Sequence, residues 1–129
     1  MNVQQLIKII KSTLINPTVD LSREIKGGCG TDLMSDALAL IQPEAVLLTG
    51  LCNPQVVRTT PMADIASIVL VRGKKPPQET VALANHERIP LISSPYGMFE
   101  LCGKLHQVGL HSLERPVLTN HTNVLDYPA

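Results

Sequence analysis

Tryptophan is absent from this chain, and one Phe and two Tyr are its only large aromatic side chains. A core assembled under that constraint must come from Leu, Ile, Val, Ala and Met, the packing that suits buried parallel strands covered by helices. The scarcity also argues against the aromatic platforms on which single-stranded nucleic acid stacks. Excess charge of either sign is missing as well: eleven basic residues balance eleven acidic ones. With no basic run, the electrostatic footprint of a nucleic-acid partner is lacking. No apolar run approaches the roughly 20 residues of a membrane span. The opening MNVQQLIKIIKS has no long apolar stretch followed by a cleavage site. Three cysteines, an odd number without a C-x-x-C pair, form no disulfide framework. These absences together lead us to expect a cytoplasmic protein in a reducing compartment, with neither nucleic acid nor membrane as partner.

What the chain does contain is apolar and punctuated. Its 129 residues are 44 % hydrophobic and 17 % charged, enough for one domain that buries about two-thirds of its unfolded surface. Val3, Leu6, Ile7, Ile10 and Leu14 recur at helical spacing, which predicts an amphipathic helix over residues 2–15, stopped at Asn16-Pro17. A mixed strand is expected from Val19 to Ile25. The cluster Gly27-Gly28-Cys29-Gly30 reads as a tight turn, with Thr31 or Asp32 capping a helix that reaches about Ile41. Ala45–Gly50, closed by its glycine, Ser67–Val71 and Pro90–Ser94 are short apolar runs of the kind that form buried strands. Between them stand helical segments opened by Asn53-Pro54 and by Pro76-Pro77, and a last helix is expected from Tyr96 to about Val108. Pro61 should shorten or kink the helix that holds it.

Strand and helix alternating about every twenty residues calls for βαβ crossovers. The expected fold is a single α/β domain with a mostly parallel sheet built from βαβ units and helices on both faces. Its parts are an N-terminal helix over 1–18, the α/β domain over 19–110, and a C-terminal arm or edge strand over 111–129.

The named phosphate motifs fail. A P-loop needs Gly-Lys-Ser/Thr closing its glycine run, and no lysine follows these glycines before Lys74. A dinucleotide fingerprint needs a third glycine where Leu33 stands. Ligands of an open parallel sheet gather beyond the carboxyl ends of its strands. The candidate ligand-binding residues are therefore Thr31, Asp32, Ser35 and Asp36 at the helix start, with Gly50, Asn53, Gly73, Ser93 and Ser94 at the strand ends. Glycines there admit a ligand close to the backbone, serines offer hydroxyls, and an aspartate can take a ribose hydroxyl. Short turns demand the same residue types, so at the strand ends the two readings stand level, while at the helix start the turn-and-cap reading leads. Cys102 and His106 share a helix face, and Cys29 and Cys52 could join them only by folding nearby. A structural zinc wants four ligands; we expect no metal and name no cofactor. No base stands beside an evident nucleophile, so no catalytic residue is assigned and the non-catalytic reading leads.

The segments GTDLMSDALA (30–39), AVLLTG (45–50), IVLVRGKKPPQET (68–80) and IPLISSPYGMFELCGKL (89–105) resemble the DRTGG domain family across about residues 19–110. They are most similar to stand-alone members linked with iron-only hydrogenase systems. One departure is plain: Gly50 is followed by Leu51-Cys52, where relatives often carry an Asp-Arg pair. The second family glycine pair is reduced to Gly73 followed by lysines. The resemblance implies an accessory α/β domain similar to the N-terminal domain of HPr kinase/phosphorylase, one that forms homodimers and works beside nucleotide-binding modules. We therefore expect a regulatory or assembly homodimer that binds an adenine nucleotide. The alternatives are an accessory of a hydrogenase or other redox system using its cysteines, and a small-molecule phosphoryl or acyl transferase. Leu101, Leu105, Val108, Leu110, Leu113, Val117 and Leu118 supply the apolar surface that motivates the dimer.

Overall fold

The computed structural model describes residues 1–17 and 19–117. Ten elements follow in chain order: α1 (Val3–Ile9), β1 (Thr13–Leu14), β2 (Gly27–Gly30), α2 (Met34–Leu40), β3 (Ala45–Thr49), α3 (Pro54–Ala63), β4 (Ser67–Leu70), α4 (Gln78–Glu87), β5 (Leu91–Ser93) and α5 (Met98–Gln107). The sheet runs β1-β5-β4-β3-β2. β2 to β5 are mutually parallel and β1 joins β5 antiparallel. Because β2, β3, β4 and β5 are laid down side by side in sequence order, crossovers of one hand place their three helices on one face.

The strand alternation sorts the core into two layers. Leu47, Ile68, Leu70 and Leu91 pack with Met34, Ala37, Val56, Val57 and Ala84 of α2, α3 and α4. Val46, Leu48, Val69 and Ile92 face the other way, against Val3 and Leu6 of α1 and Leu101 and Leu105 of α5. All five residues of β3 and all four of β4 are buried. Their continuous apolar runs reflect burial on both faces.

The first third of the chain departs from expectation. The helix over 2–15 stops at Ile9, and Lys11 takes φ 49°. That left-handed residue reverses the chain so that Thr13 and Leu14 pair with Ser93 and Ile92. Asn16 extends this pairing with its side chain. Ile15 N donates to Leu91 O at 2.8 Å; then Asn16 Nδ2 donates to Ile89 O at 2.7 Å and Asn16 Oδ1 accepts from Leu91 N at 2.8 Å. The amide substitutes for a ladder bond where Pro17 has no N–H to give.

The strand expected over Val19–Ile25 does not form. That segment is irregular and is tied down by single bonds, Val3 N to Arg23 O at 3.2 Å and Ile25 N to Met1 O at 2.7 Å. The strand is instead the glycine cluster. Gly27 to Gly30 pair with Ala45 to Leu48, although glycine is a poor strand former. Close approach explains Gly27: a Cβ there would lie 2.6 Å from His111 O and 2.5 Å from Leu113 Cγ. Segment 111–113 lies against the outer edge of this strand, with Gly28 N donating to His111 O at 2.9 Å and Leu113 N donating to Gly28 O at 2.8 Å.

Later elements keep close to their expected bounds. Asn53 caps α3 with Pro54 at its start, and Pro61 lies within the helix rather than ending it. A proline at 61 cannot bond Val57 O, and the Thr60 hydroxyl donates to that carbonyl instead, at 2.7 Å. Leu101, Leu105 and Leu110, offered as dimer surface, are buried within this chain, because α5 covers its own sheet. Leu118 and the rest of 118–129 lie outside the described residues. Among the described residues, no helix is long and apolar enough to cross a membrane.

Candidate ligand-binding site

Four parallel strands end together, at Gly30, Thr49, Leu70 and Ser93. Asp32 leaves the first of these ends and turns back over the second. Its Oδ1 accepts from Gly50 N at 2.6 Å and from Thr49 Oγ1 at 3.1 Å. Asp32 is thus no helix cap. The residue before α2 is Leu33, without a side-chain cap, while Thr31 Oγ1 accepts from Leu33 N at 3.1 Å.

From the third strand end, Lys74 Nζ reaches Gly50 O at 3.0 Å. A Cβ on Gly50 would stand 3.4 Å from Asp32 Oδ1 and 3.5 Å from Lys74 Nζ. Glycine here leaves a small space between a carboxylate and an ammonium. The Lys74 loop is held by its own backbone: Arg72 and Gly73 have φ 60° and 63°, and Lys74 N donates to Val71 O at 3.4 Å. Two successive positive φ values across such a bond make a type I′ turn. The turn exposes Arg72, Lys74 and Lys75 as a basic rim. Gly73 N donates to Ser94 O at 2.7 Å and Ser93 Oγ to Lys74 O at 3.1 Å, so the fourth strand end is joined to the third.

The structure therefore brings Asp32, Gly50, Gly73, Ser93 and Ser94 to one end of the sheet, with Thr31 at its margin. Several of the expected hydroxyls already have partners: Ser94 is buried and accepts from Tyr96 N at 3.3 Å. Asn53 spends its side chain on Gln55 N at 3.0 Å. Ser35 and Asp36 are exposed on the first turns of α2 and join none of these bonds. Sequence reading left Thr49 and Lys74 out of the site. A hydroxyl and a lysine just beyond strand ends were the available signals.

A second hollow, about 230 Å³ in volume, lies over the glycine strand beneath α5 and includes Cys29, Cys102, His106 and Glu114 in its lining. Burial pushes the Cys29 thiol up to about 12, and the Glu114 carboxylate, which accepts from Cys29 Sγ at 3.8 Å, adds to the rise. At neutral pH that thiol is protonated and a poor nucleophile or metal ligand. Burial also raises Cys52 and Cys102. Cys52 is apart from this hollow, with Sγ 3.6 Å from Gly50 O. Among the described residues, no three His, Cys, Asp or Glu side chains gather closely enough to hold a metal ion.

No family model and no curated protein matches the sequence. The fold does have a solved counterpart. It is similar to the CBS and DRTGG domains of the regulatory region of Clostridium perfringens pyrophosphatase, a structure complexed with its activator diadenosine tetraphosphate. The TM-score is 0.60 at 10 % identity, over 81 % of this chain and 46 % of that one. This chain has a DRTGG-like fold. It spans under half the length of that regulatory region. In this DRTGG-like domain the position after Gly50 carries Leu51-Cys52 rather than an acid–base pair. A carboxylate and a cation nonetheless stand beside Gly50, supplied by Asp32 and Lys74 from the flanking strand ends.

Proposed function

We propose that this chain is a non-catalytic regulatory domain that responds to an adenine nucleotide bound at the carboxyl ends of its parallel strands. The observation that carries the reading is the likeness of its fold to a regulatory region whose activator is diadenosine tetraphosphate. The site supports it in chemical terms. Arg72, Lys74 and Lys75 offer a cationic rim for phosphates, and Asp32 and Ser93 lie beside it. Regulation would follow from the bonding, since Asp32 and Lys74 both hold Gly50, and a ligand competing for either changes how three strand ends are tied. Calorimetric titration with AMP, ATP and diadenosine tetraphosphate is expected to show saturable heat at micromolar to millimolar ligand. No heat with any of the three removes the sensing role.

The domain works as a homodimer in this reading. Phe99, the chain's single Phe, is 94 % exposed on the first turn of α5, and Val108 beyond the same helix is 48 % exposed. In a homodimer of this kind, Phe99 is the large apolar side chain that the contact would cover. Light scattering is expected to give twice the chain mass at micromolar concentration, reverting to the single mass in Phe99→Glu. A single mass for the unaltered protein rejects the dimer.

A further inference from the structure

The sheet is one strand wider than its helical cover on the face that carries Leu47, Ile68, Leu70 and Leu91. There α2, α3 and α4 each belong to a crossover between parallel strands. β1 joins the edge antiparallel, and no helix follows it before β2. Ile15, which packs on this face just past β1, is therefore only half-buried. Between it and the start of α4 lies a hollow of about 360 Å³, within the roughly 300–1,000 Å³ usual for small-molecule sites.

The lining of this hollow sorts by chemistry. Ile15, Pro76 and Val81, all half-buried, make its apolar sides. Thr13 and Ser93 are direct partners across β1 and β5 and line it as well. They stand two residues from Ile15 and Leu91, so strand alternation turns both hydroxyls to the α4 face. Ser93 Oγ donates to Lys74 O at 3.1 Å, which commits its one proton and leaves only lone pairs. Thr13 is exposed and keeps a proton to give. Lys74 and Lys75 border the hollow and no acid does. Lys74 Nζ is engaged by Gly50 O, whereas Lys75 makes no ion pair among the described residues.

We propose that this hollow takes the adenine base of the nucleotide, the 6-amino group donating to Ser93 Oγ, Thr13 Oγ1 donating to ring N1, and Lys75 meeting the phosphates. The assignment rests on the nucleotide reading above and places the base between β1 and α4, away from Asp32 and Gly50. Opposed residues of an antiparallel pair hold their Cβ atoms about 4.5–5.5 Å apart, so two such hydroxyls reach neighbouring positions on one ring. The flat base lies between Ile15 on the sheet and Pro76 and Val81 on the helix side, where it covers apolar surface that the fold leaves half-exposed. Selection of the base follows from the committed serine proton. A purine with an oxo group at position 6 sets lone pairs against lone pairs there.

The test titrates the unaltered, ¹⁵N-labelled chain with AMP and with IMP, its 6-oxo counterpart. AMP is expected to shift the Thr13, Ile15 and Val81 amide signals more than that of Gly50. IMP is expected to bind about tenfold more weakly, the loss that goes with one hydrogen bond. Ser93→Ala, which removes the acceptor, is expected to bind the two alike. AMP binding with Thr13, Ile15 and Val81 unmoved, equal affinity for IMP in the unaltered chain, or an undiminished preference for AMP in Ser93→Ala overturns the base pocket and leaves the nucleotide reading intact. No binding by any adenine nucleotide overturns both.

Discussion

Asp32 Oδ1 lies 2.6 Å from Gly50 N and accepts its hydrogen bond across the ends of β2 and β3. This is a charge-assisted bond, of the class worth about 1.5–3 kcal/mol. Asp32→Ala, which also loses the Thr49 hydroxyl's partner, is expected to destabilise the fold by about 1–2 kcal/mol given the exposure of the carboxylate. Urea unfolding reads the difference, and an unchanged midpoint would show that the two strand ends are held by the sheet alone.

Asn16 makes the stronger case for a buried amide. It is 2 % exposed and satisfies two backbone groups of the β5 segment at once. Asn16→Ala strands Ile89 O and Leu91 N where water is excluded, so a loss of about 2–4 kcal/mol is expected from chemical denaturation. Asn16→Asp keeps an acceptor for Leu91 N but sets a buried carboxylate oxygen against Ile89 O, so at neutral pH it is expected to be no more stable than the alanine variant. Equal stability of the alanine variant and the parent contradicts the ladder role.

Adjacent glycines are expected to differ. Gly27→Ala pushes a methyl against His111 O at 2.6 Å, a backbone atom, whereas the nearest contact at Gly28 is an ordinary 3.5 Å. We expect Gly27→Ala to cost about 1–3 kcal/mol through overpacking and Gly28→Ala less than 1 kcal/mol. Hydrogen exchange at the Gly28 and Leu113 amides should quicken in the first variant alone. Similar exchange in both would mean that the 111–113 segment yields freely.

The Cys29 thiol sets a pH dependence. Its folded pKa of about 12 lies above the ordinary 9.0, so between those values the folded state keeps a proton that the unfolded chain has released. Stability from this source is complete below pH 9 and is lost as pH rises toward 12. Denaturation midpoints should fall between pH 9 and 10.5, and fall less steeply in Cys29→Ala. A fall of the same slope in both rules Cys29 out as the cause.

Ser67 Oγ is buried without a hydrogen-bond partner. Ser67→Ala removes a desolvated hydroxyl and is expected to leave stability unchanged or raise it by about 1 kcal/mol. A marked loss would reveal a partner for that hydroxyl.

The apolar runs at 45–49, 67–71 and 90–94 were legible because a strand buried on both faces needs apolar residues throughout. Asn53-Pro54 likewise marked a helix start by capping chemistry that acts within three residues. The glycine strand was not legible. It has no side-chain period, and what makes it a strand is Ala45–Leu48 on one edge and 111–113 on the other, both remote in sequence. Val19–Ile25 erred in the opposite sense, its local strand character overridden by attachment to α1 and Asp64.

The sequence by itself determined the class of fold, since burial in a parallel sheet imposes a composition and a spacing that can be read residue by residue. Only the tertiary structure decided which groups meet. Asp32 with Gly50, Lys74 with the same glycine, and the empty floor of Gly28 and Gly30 under α5 are contacts across separate strands and helices. Their geometry is set by strand order and by where side chains are missing, and neither leaves a periodic mark in the chain.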